Sequence, residues 1–264
     1  LYHLHGSPPC QKLSSVNTGT KSKDGSVASG LENVDWYLNL ALTRRPASWT
    51  MEQVAHPAVI QLLQHYAKQN PGFLDYEVCK MEEWGVPQAR RRVIAGSPFL
   101  IRRLRDKRTP LATCGVKRAC AHLGTIPPNA IGIKGSNMHK YVHDPDGAKR
   151  HKRSGVTCAE ARMKRGGGLA HPGPTVLCSN MLSWCTLGGE TIRSLTLKEH
   201  AALQTFPNDY HFSTNRQISQ TLCGNAVPPK FAEILMSDYR LPAERGALAH
   251  AEFPERPRSP SLNW

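Results

Sequence analysis

Four short stretches of this chain hold side chains that could act together in covalent chemistry. In Gly6-Ser7-Pro8-Pro9-Cys10-Gln11 a thiol sits on a Pro-Pro turn just after a strand-like run, Leu1 to His5. Ligands of open α/β sheets lie beyond the carboxyl ends of strands, so a thiol at that junction is placed as a nucleophile. Met51-Glu52-Gln53-Val54 closes a second strand-like run with an acid beside an amide. Gln88-Ala89-Arg90-Arg91-Arg92 sets guanidinium groups along a third, where alternation puts Arg90 and Arg92 on one side and Arg91 on the other. Cys223-Gly224-Asn225-Ala226-Val227-Pro228-Pro229 is the fourth. Each stretch alone has an ordinary reading: a turn that contains a cysteine, a solvent-facing carboxylate, a basic strand touching phosphates. Their joint presence and order carry the information.

The elements that must position these groups are partly legible. Ser48–Val54 reads as a strand, and Pro57 opens a helix with Val59, Leu62, Leu63 and Tyr66 on one face. Leu74–Cys79 and Arg92–Ser97 read as further strands, separated by a turn at Trp84-Gly85-Val86-Pro87-Gln88. This alternation of strands and helices favours an α/β sheet. From about Pro98 to Trp184 periodicity weakens, Gly and Pro are frequent, and basic clusters recur. Order returns at Leu195, where Thr196-Leu197-Lys198-Glu199 is a capping box opening a helix toward Phe206. Another helix follows Pro228-Pro229, with Phe231, Ile234 and Leu235 inward; the Pro-rich tail after Leu241 reads as disordered.

The chain has 264 residues and a formal net charge of +14. Phe99 to Gly173 holds 16 Lys and Arg against four Asp and Glu, and so carries +12 of that surplus. So concentrated a charge points to a polyanion such as nucleic acid rather than to an acidic small molecule. The eight cysteines form no C-x-x-C pair, and the sequence contains neither a signal-peptide pattern nor a membrane-length apolar run. An intracellular location with reduced thiols is expected. Cys114, Cys120, His122, His139 and His143 could be drawn as a zinc site, but their spacing fits no standard finger or ribbon, so no metal is expected.

Together the four blocks resemble the DNA (cytosine-5) methyltransferases. A fifth, Arg193-Ser194-Leu195-Thr196-Leu197-Lys198-Glu199-His200-Ala201-Ala202-Leu203-Gln204-Thr205-Phe206-Pro207, is similar to a helix of that family. His171-Pro172-Gly173-Pro174-Thr175-Val176 is similar to the family's return from its recognition domain. The resemblance implies an α/β fold: a partial Rossmann-like S-adenosylmethionine-dependent methyltransferase sheet with a smaller, loop-rich, basic target-recognition domain. The implied boundaries are 1–97 for a partial catalytic domain, 98–190 for target recognition, 191–240 for the return, and 241–264 for the tail.

By resemblance Cys10 is the nucleophile, Glu52 the acid, and Arg90 and Arg92 hold the base O2 and favour the thiolate. Pro9, Gln11 and Gln88 fall on the substrate side, and Asn225, Ala226 and Val227 on the S-adenosylmethionine side. The chemistry needs this set, because C5 of cytosine attacks an electrophile only after a thiolate has added to C6. The target base must leave the duplex, and the basic region would hold the displaced backbone. Double-stranded DNA is the expected partner, no membrane is, and an RNA substrate stays open because a tRNA-methylating branch shares the blocks.

Three positions depart mildly from the family pattern: Gln53 for Asn, Lys198 for Arg and Cys223 for Ile. A larger departure is that the chain contains no Phe-x-Gly-x-Gly loop. The chain also begins inside a strand-like segment at Leu1, so it is expected to be part of a longer methyltransferase and to bind S-adenosylmethionine weakly or not at all by itself. A catalytically silent nucleic-acid-binding relative and a restriction-system partner remain alternatives. The nucleus is the expected site in a eukaryote, the cytoplasm or nucleoid in a bacterium or phage.

Overall fold

A computed structural model of the chain describes residues 2–9, 13, 25–109, 115–134, 141–143, 149–151, 168–178, 182–186, 190–237 and 239, with backbone alone at 25–29, 141–143 and 149–151. In chain order its elements begin with β1 His3–Gly6, α1 Gly25–Arg44, β2 Ser48–Val54, α2 Pro57–Gln69 and β3 Asp75–Lys80. Then come β4 Gln88–Ala89, β5 Arg91–Gly96, α3 Pro98–Asp106, α4 Val116–Cys120, β6 Gly132–Lys134, β7 Tyr141–His143 and β8 Lys149–His151. The last are β9 Gly173–Pro174, β10 Ser183–Cys185, β11 Thr191–Ser194, α5 Leu197–Leu203, α6 Arg216–Asn225 and α7 Pro229–Met236. Among the described residues no helix is long and apolar enough to cross a membrane.

These elements fall into two compact units. The first comprises Leu1–Cys79, Arg91–Asp106 and Leu235–Trp264; the second comprises Lys80–Arg90 and Lys107–Ile234.

The first unit is built on a four-stranded mixed sheet in the order β1-β2-β5-β3. β1 runs parallel to β2, with Gly6 opposite Met51, and β5 runs antiparallel to it, with Val54 opposite Arg92. Strand alternation sorts the side chains by face. Leu4, Trp49, Met51, Val93 and Ala95 pack with Leu31, Val34, Tyr37, Leu38 and Ala41 of α1 and with Val59, Leu62, Leu63 and Tyr66 of α2. Helical spacing of three and four residues makes each of those helix sets a single stripe. Burying one such side chain stabilises by about 1.5–3 kcal/mol, so this face holds the unit together. The opposite face carries His3, His5, Ser48, Thr50 and Glu52, leaving polar groups on the strands that precede the candidate chemistry. Pro57 stands at the start of α2, as expected, and the His56 ring caps the helix by accepting the Ala58 N–H. Gly6 is required where β1 crosses α1, because a Cβ there would lie 2.1 Å from the Tyr37 ring.

The second unit is centred on the antiparallel sheet β11-β10-β6. Val116, Ile133, Trp184, Leu195, Leu203 and Cys223 share one buried cluster around it. That cluster draws on α4 and β6, from the region expected to be a separate basic domain, and on α5 and α6, from the region expected to return to the catalytic sheet. The contact boundaries therefore do not fall at 97/98 and 190/191. Helix α3 goes with the first unit, while 80–90 and 191–234 go with the second. The capping box forms as expected: Thr196 Oγ1 accepts the Glu199 N–H, and Glu199 Oε2 accepts the Thr196 N–H. Glu199, fully buried, also accepts from Thr125, Trp184 and Arg193, and these donors draw its carboxyl down to about 2 against the opposing effect of burial.

Candidate active site

Of the expected site residues, Cys10 and Gln11 lie outside the described residues, as do Cys114 and His139 of the weighed zinc set. The turn leading to Cys10 is described up to Pro9, which is exposed. Its anchor is Gln53. This side chain is 1 % exposed; its Nε2 donates to the Pro8 carbonyl at 2.9 Å, and its Oε1 accepts the Val54 N–H at 2.7 Å. Both ends of the amide are used, which fixes the carbonyl two residues before the thiol relative to β2. In the sequence Gln53 stands out only as a replacement for Asn; the available signal is strand alternation, which puts it on the side of Trp49 and Met51.

Glu52 points to the other face of β2 and is 7 % exposed. The Arg92 Nε lies 2.9 Å from Glu52 Oε1. Their pairing follows from register: Ile94 stands opposite Glu52, and Arg92, two residues along β5, occupies the diagonal position on the same face. Arg92 also donates to the Arg91 carbonyl at 2.8 Å, while Arg91 itself is exposed. His5 on neighbouring β1 bonds Thr50 Oγ1 at 2.9 Å; burial lowers its pKa, so its imidazole favours the neutral form.

Arg90 is placed elsewhere. It belongs to the second unit, whereas Arg92 belongs to the first, so the Gln-x-Arg-x-Arg motif divides between the two. Arg90 is 2 % exposed; its Nη1 donates to the Val176 carbonyl at 3.2 Å and its Nη2 to the carbonyls of Gly224 at 3.2 Å and Ala226 at 3.4 Å. Gln88 is fully buried beside it. Its Nε2 donates to Leu203 O and Gln204 Oε1, and its Oε1 accepts the Val176 N–H. Gln204 completes the cluster by donating to the carbonyls of Cys223 and Ala226. The Pro174-Thr175-Val176 return docks here too: β9 runs parallel to β4, and Thr175 Oγ1 donates to Ala89 O.

Asn225, at the end of α6, is exposed, and Ala226 and Val227 are half-buried. Cys223 is fully buried, and burial pushes its thiol up to about 12, which makes it an apolar packing group rather than a nucleophile. An apolar role there accords with the Ile it replaces in the family pattern.

The mixed α/β sheet is consistent with the fold of the S-adenosylmethionine-dependent methyltransferases. A solved structure of a prophage-encoded Escherichia coli protein assigned as a DNA modification methyltransferase matches with a TM-score of 0.50 at 16 % identity, over 89 % of this chain and 77 % of that one. Residues 126–240 match the family of C-5 cytosine-specific DNA methylases. Type II methyltransferase M.BbvI of Brevibacillus brevis is 32 % identical over 174 residues, covering 60 % of this chain and 46 % of that protein. Type II methyltransferase M.HindV of Haemophilus influenzae is 25 % identical over 243 residues, covering 89 % of this chain and 73 % of that protein. The chain thus spans just under half the length of M.BbvI.

Proposed function

We propose that this chain carries the catalytic and target-binding parts of a DNA (cytosine-5) methyltransferase. The observation that supports this most directly is the Glu52–Arg92 pair between β2 and β5, with Pro8, two residues before Cys10 in the sequence, tied to β2 through Gln53.

In the proposed reaction the Cys10 thiolate forms a bond to C6 of a flipped-out cytosine. Charge moves toward N3, where Glu52 supplies a proton, and Arg92 holds the Glu52 carboxyl in place while facing the base carbonyl. S-adenosylmethionine, the methyl donor used by methyltransferases generally, supplies an electrophilic methyl group. When C5 takes that methyl group, the donor's sulfur–methyl bond would break and leave a neutral thioether; the C5 proton then passes to solvent water, the Sγ–C6 bond breaks to free the thiolate, and the N3 proton returns to Glu52, which restores the aromatic ring. Asn225, with an exposed amide that can both donate and accept, and the half-buried Ala226 and Val227 fit one side of a pocket for that donor. The basic stretch within 98–190 is the proposed hold on double-stranded DNA, and a nuclear location in a eukaryote, or a cytoplasmic or nucleoid one in a bacterium or phage, is proposed with it.

The test uses the native protein that contains this sequence, with S-adenosylmethionine and duplex DNA bearing 5-fluorocytosine. Fluorine cannot leave as a proton does, so the thiolate-linked product accumulates. A denaturant-stable protein–DNA adduct that disappears in Cys10→Ser is expected. An adduct that survives Cys10→Ser, or one formed with RNA and not with DNA, overturns the proposal.

A further inference from the structure

Strand alternation puts Arg90 and Arg92 on one side and the family resemblance implies one task for both, yet the structure gives them different partners. We propose that Gln88, Arg90 and Gln204 are positioning residues that grip the backbone around Asn225 and set its amide for the methyl donor, rather than groups that touch the target base. The proposal deepens the functional reading above and rests on it for the role of Asn225.

The grip is specific to that backbone. One nitrogen of Arg90, Nη2, donates to the carbonyls on both sides of Asn225, those of Gly224 and Ala226. Gln204 Nε2 takes the carbonyl one step earlier, Cys223, and shares Ala226. Gln88 orients Gln204: its Nε2 occupies Gln204 Oε1, so the Gln204 nitrogen must face the turn. Gln88 is itself oriented by the Val176 N–H on its oxygen. Reversing either amide would set oxygen against oxygen.

The segment is also held from behind and from its far end. A Cβ on Gly224 would lie 2.3 Å from the Cys178 nitrogen, so the backbone of α6 rests directly on that of 177–178. Gln220 Nε2 donates to Leu177 O at 3.0 Å on the same side. Thr205, adjacent to Gln204, has φ of 65°, a conformation costly for a β-branched residue. That conformation lets Thr205 Oγ1 accept the Lys230 N–H at 3.0 Å, satisfying a donor in the first turn of α7. The Gln204-Thr205 turn therefore fastens the chain both before and after the Pro228-Pro229 step. Amid these pinned neighbours Asn225 is exposed, as a residue serving a ligand should be.

The experiment compares Arg90→Lys and Gln204→Met with the wild-type native protein. Arg90→Lys keeps the charge but cannot reach two carbonyls with one planar fork. Both variants should weaken S-adenosylmethionine about tenfold by calorimetry and raise its KM by the same factor, with kcat at saturation and DNA affinity within twofold of wild type. Without any cofactor, amide exchange at Ala226, whose N–H donates to Leu222 O, should quicken about tenfold while the Glu199 and Leu203 amides keep their rates. A fall in kcat with unchanged cofactor affinity would place Arg90 at the base and overturn the proposal. Unchanged exchange at Ala226 in both variants overturns it as well, whatever the cofactor does. Failure of the wild-type protein to bind S-adenosylmethionine, with exchange altered as expected, would instead remove the functional reading and leave the grip standing.

Discussion

Arg90 and Arg92 stand two residues apart in one motif and meet opposite fates. Arg92, on the first unit's sheet, faces the Glu52 carboxylate near the end of β2, so its charge serves another side chain, the one proposed as the acid. Arg90, in the second unit, bonds main-chain carbonyls, so its charge serves the shape of a turn. The difference teaches that one short motif can give two like side chains different partners where the chain passes from one compact unit to the other. Only the Glu52–Arg92 pair should leave the fold intact when it is neutralised.

The largest effect expected is therefore on activity without a change of fold. Glu52→Gln keeps size and loses the proton, and kcat should fall about 10²–10⁴-fold while the melting temperature stays within a few degrees. A melting temperature that drops as steeply as activity would mean that the Glu52–Arg92 pair is chiefly structural, and the contrast with Arg90 would collapse.

Next comes the second unit's buried carboxylate. Glu199→Gln leaves Arg193 without its partner and should cost about 2–3 kcal/mol, less than a wholly buried pair because Arg193 is 35 % exposed. The pH dependence has a definite sign. The folded-state pKa of Glu199 lies below its unfolded value, so its contribution is full above the ordinary carboxylate range and is lost as pH falls toward about 2. Thermal melts from pH 6 down to pH 2 should show wild type losing this increment and Glu199→Gln flat with respect to it. Parallel curves would show that the charge on Glu199 does not carry the stabilisation.

How much of this was legible beforehand depends on the range of the interaction. The α2 stripe, the β2 strand and the Thr196 capping box are local patterns, and each appears where its spacing put it. The 20-residue helix α1 went unread, since Gly25, Ser26 and Gly30 give its start the look of a loop and its burial is set by strands met later. The orientation of Arg90 was out of reach for a different reason. Alternation governs residues within a strand, but Arg90 falls between β4 and β5, and its partners lie 86 to 136 positions away. Gln204 gave a weak local sign, being an amide just past the end of α5 and two residues before Phe206-Pro207.

A smaller effect should follow at Gln53. Gln53→Ala frees the Pro8 carbonyl and the Val54 N–H within a buried setting, at a cost of about 1–3 kcal/mol. Adduct formation at Cys10 should slow by roughly tenfold while S-adenosylmethionine binding is unchanged, because near-attack geometry is lost without loss of any reacting group. A variant as fast as wild type would mean that the Pro8-Pro9 segment holds its own shape, and that the proposed nucleophile needs no help from β2.

The smallest effect tests whether burial or the number of bonds separates the two regions. Arg105 on α3 donates to both oxygens of Asp75, to Glu77 and to the Tyr76 carbonyl, a set nearly as rich as that of Glu199. It differs in exposure: its side chain is 38 % accessible and that of Asp75 is 34 %, against 0 % for Glu199. Water and salt therefore screen the ion pairs, and most of their attraction is offset by the side-chain entropy lost in making them. Arg105→Gln should lower stability by less than about 1 kcal/mol in denaturant titrations, and by still less at 1 M salt. A loss matching that of Glu199→Gln at both salt concentrations would show that bond count, not burial, sets the energy of these networks.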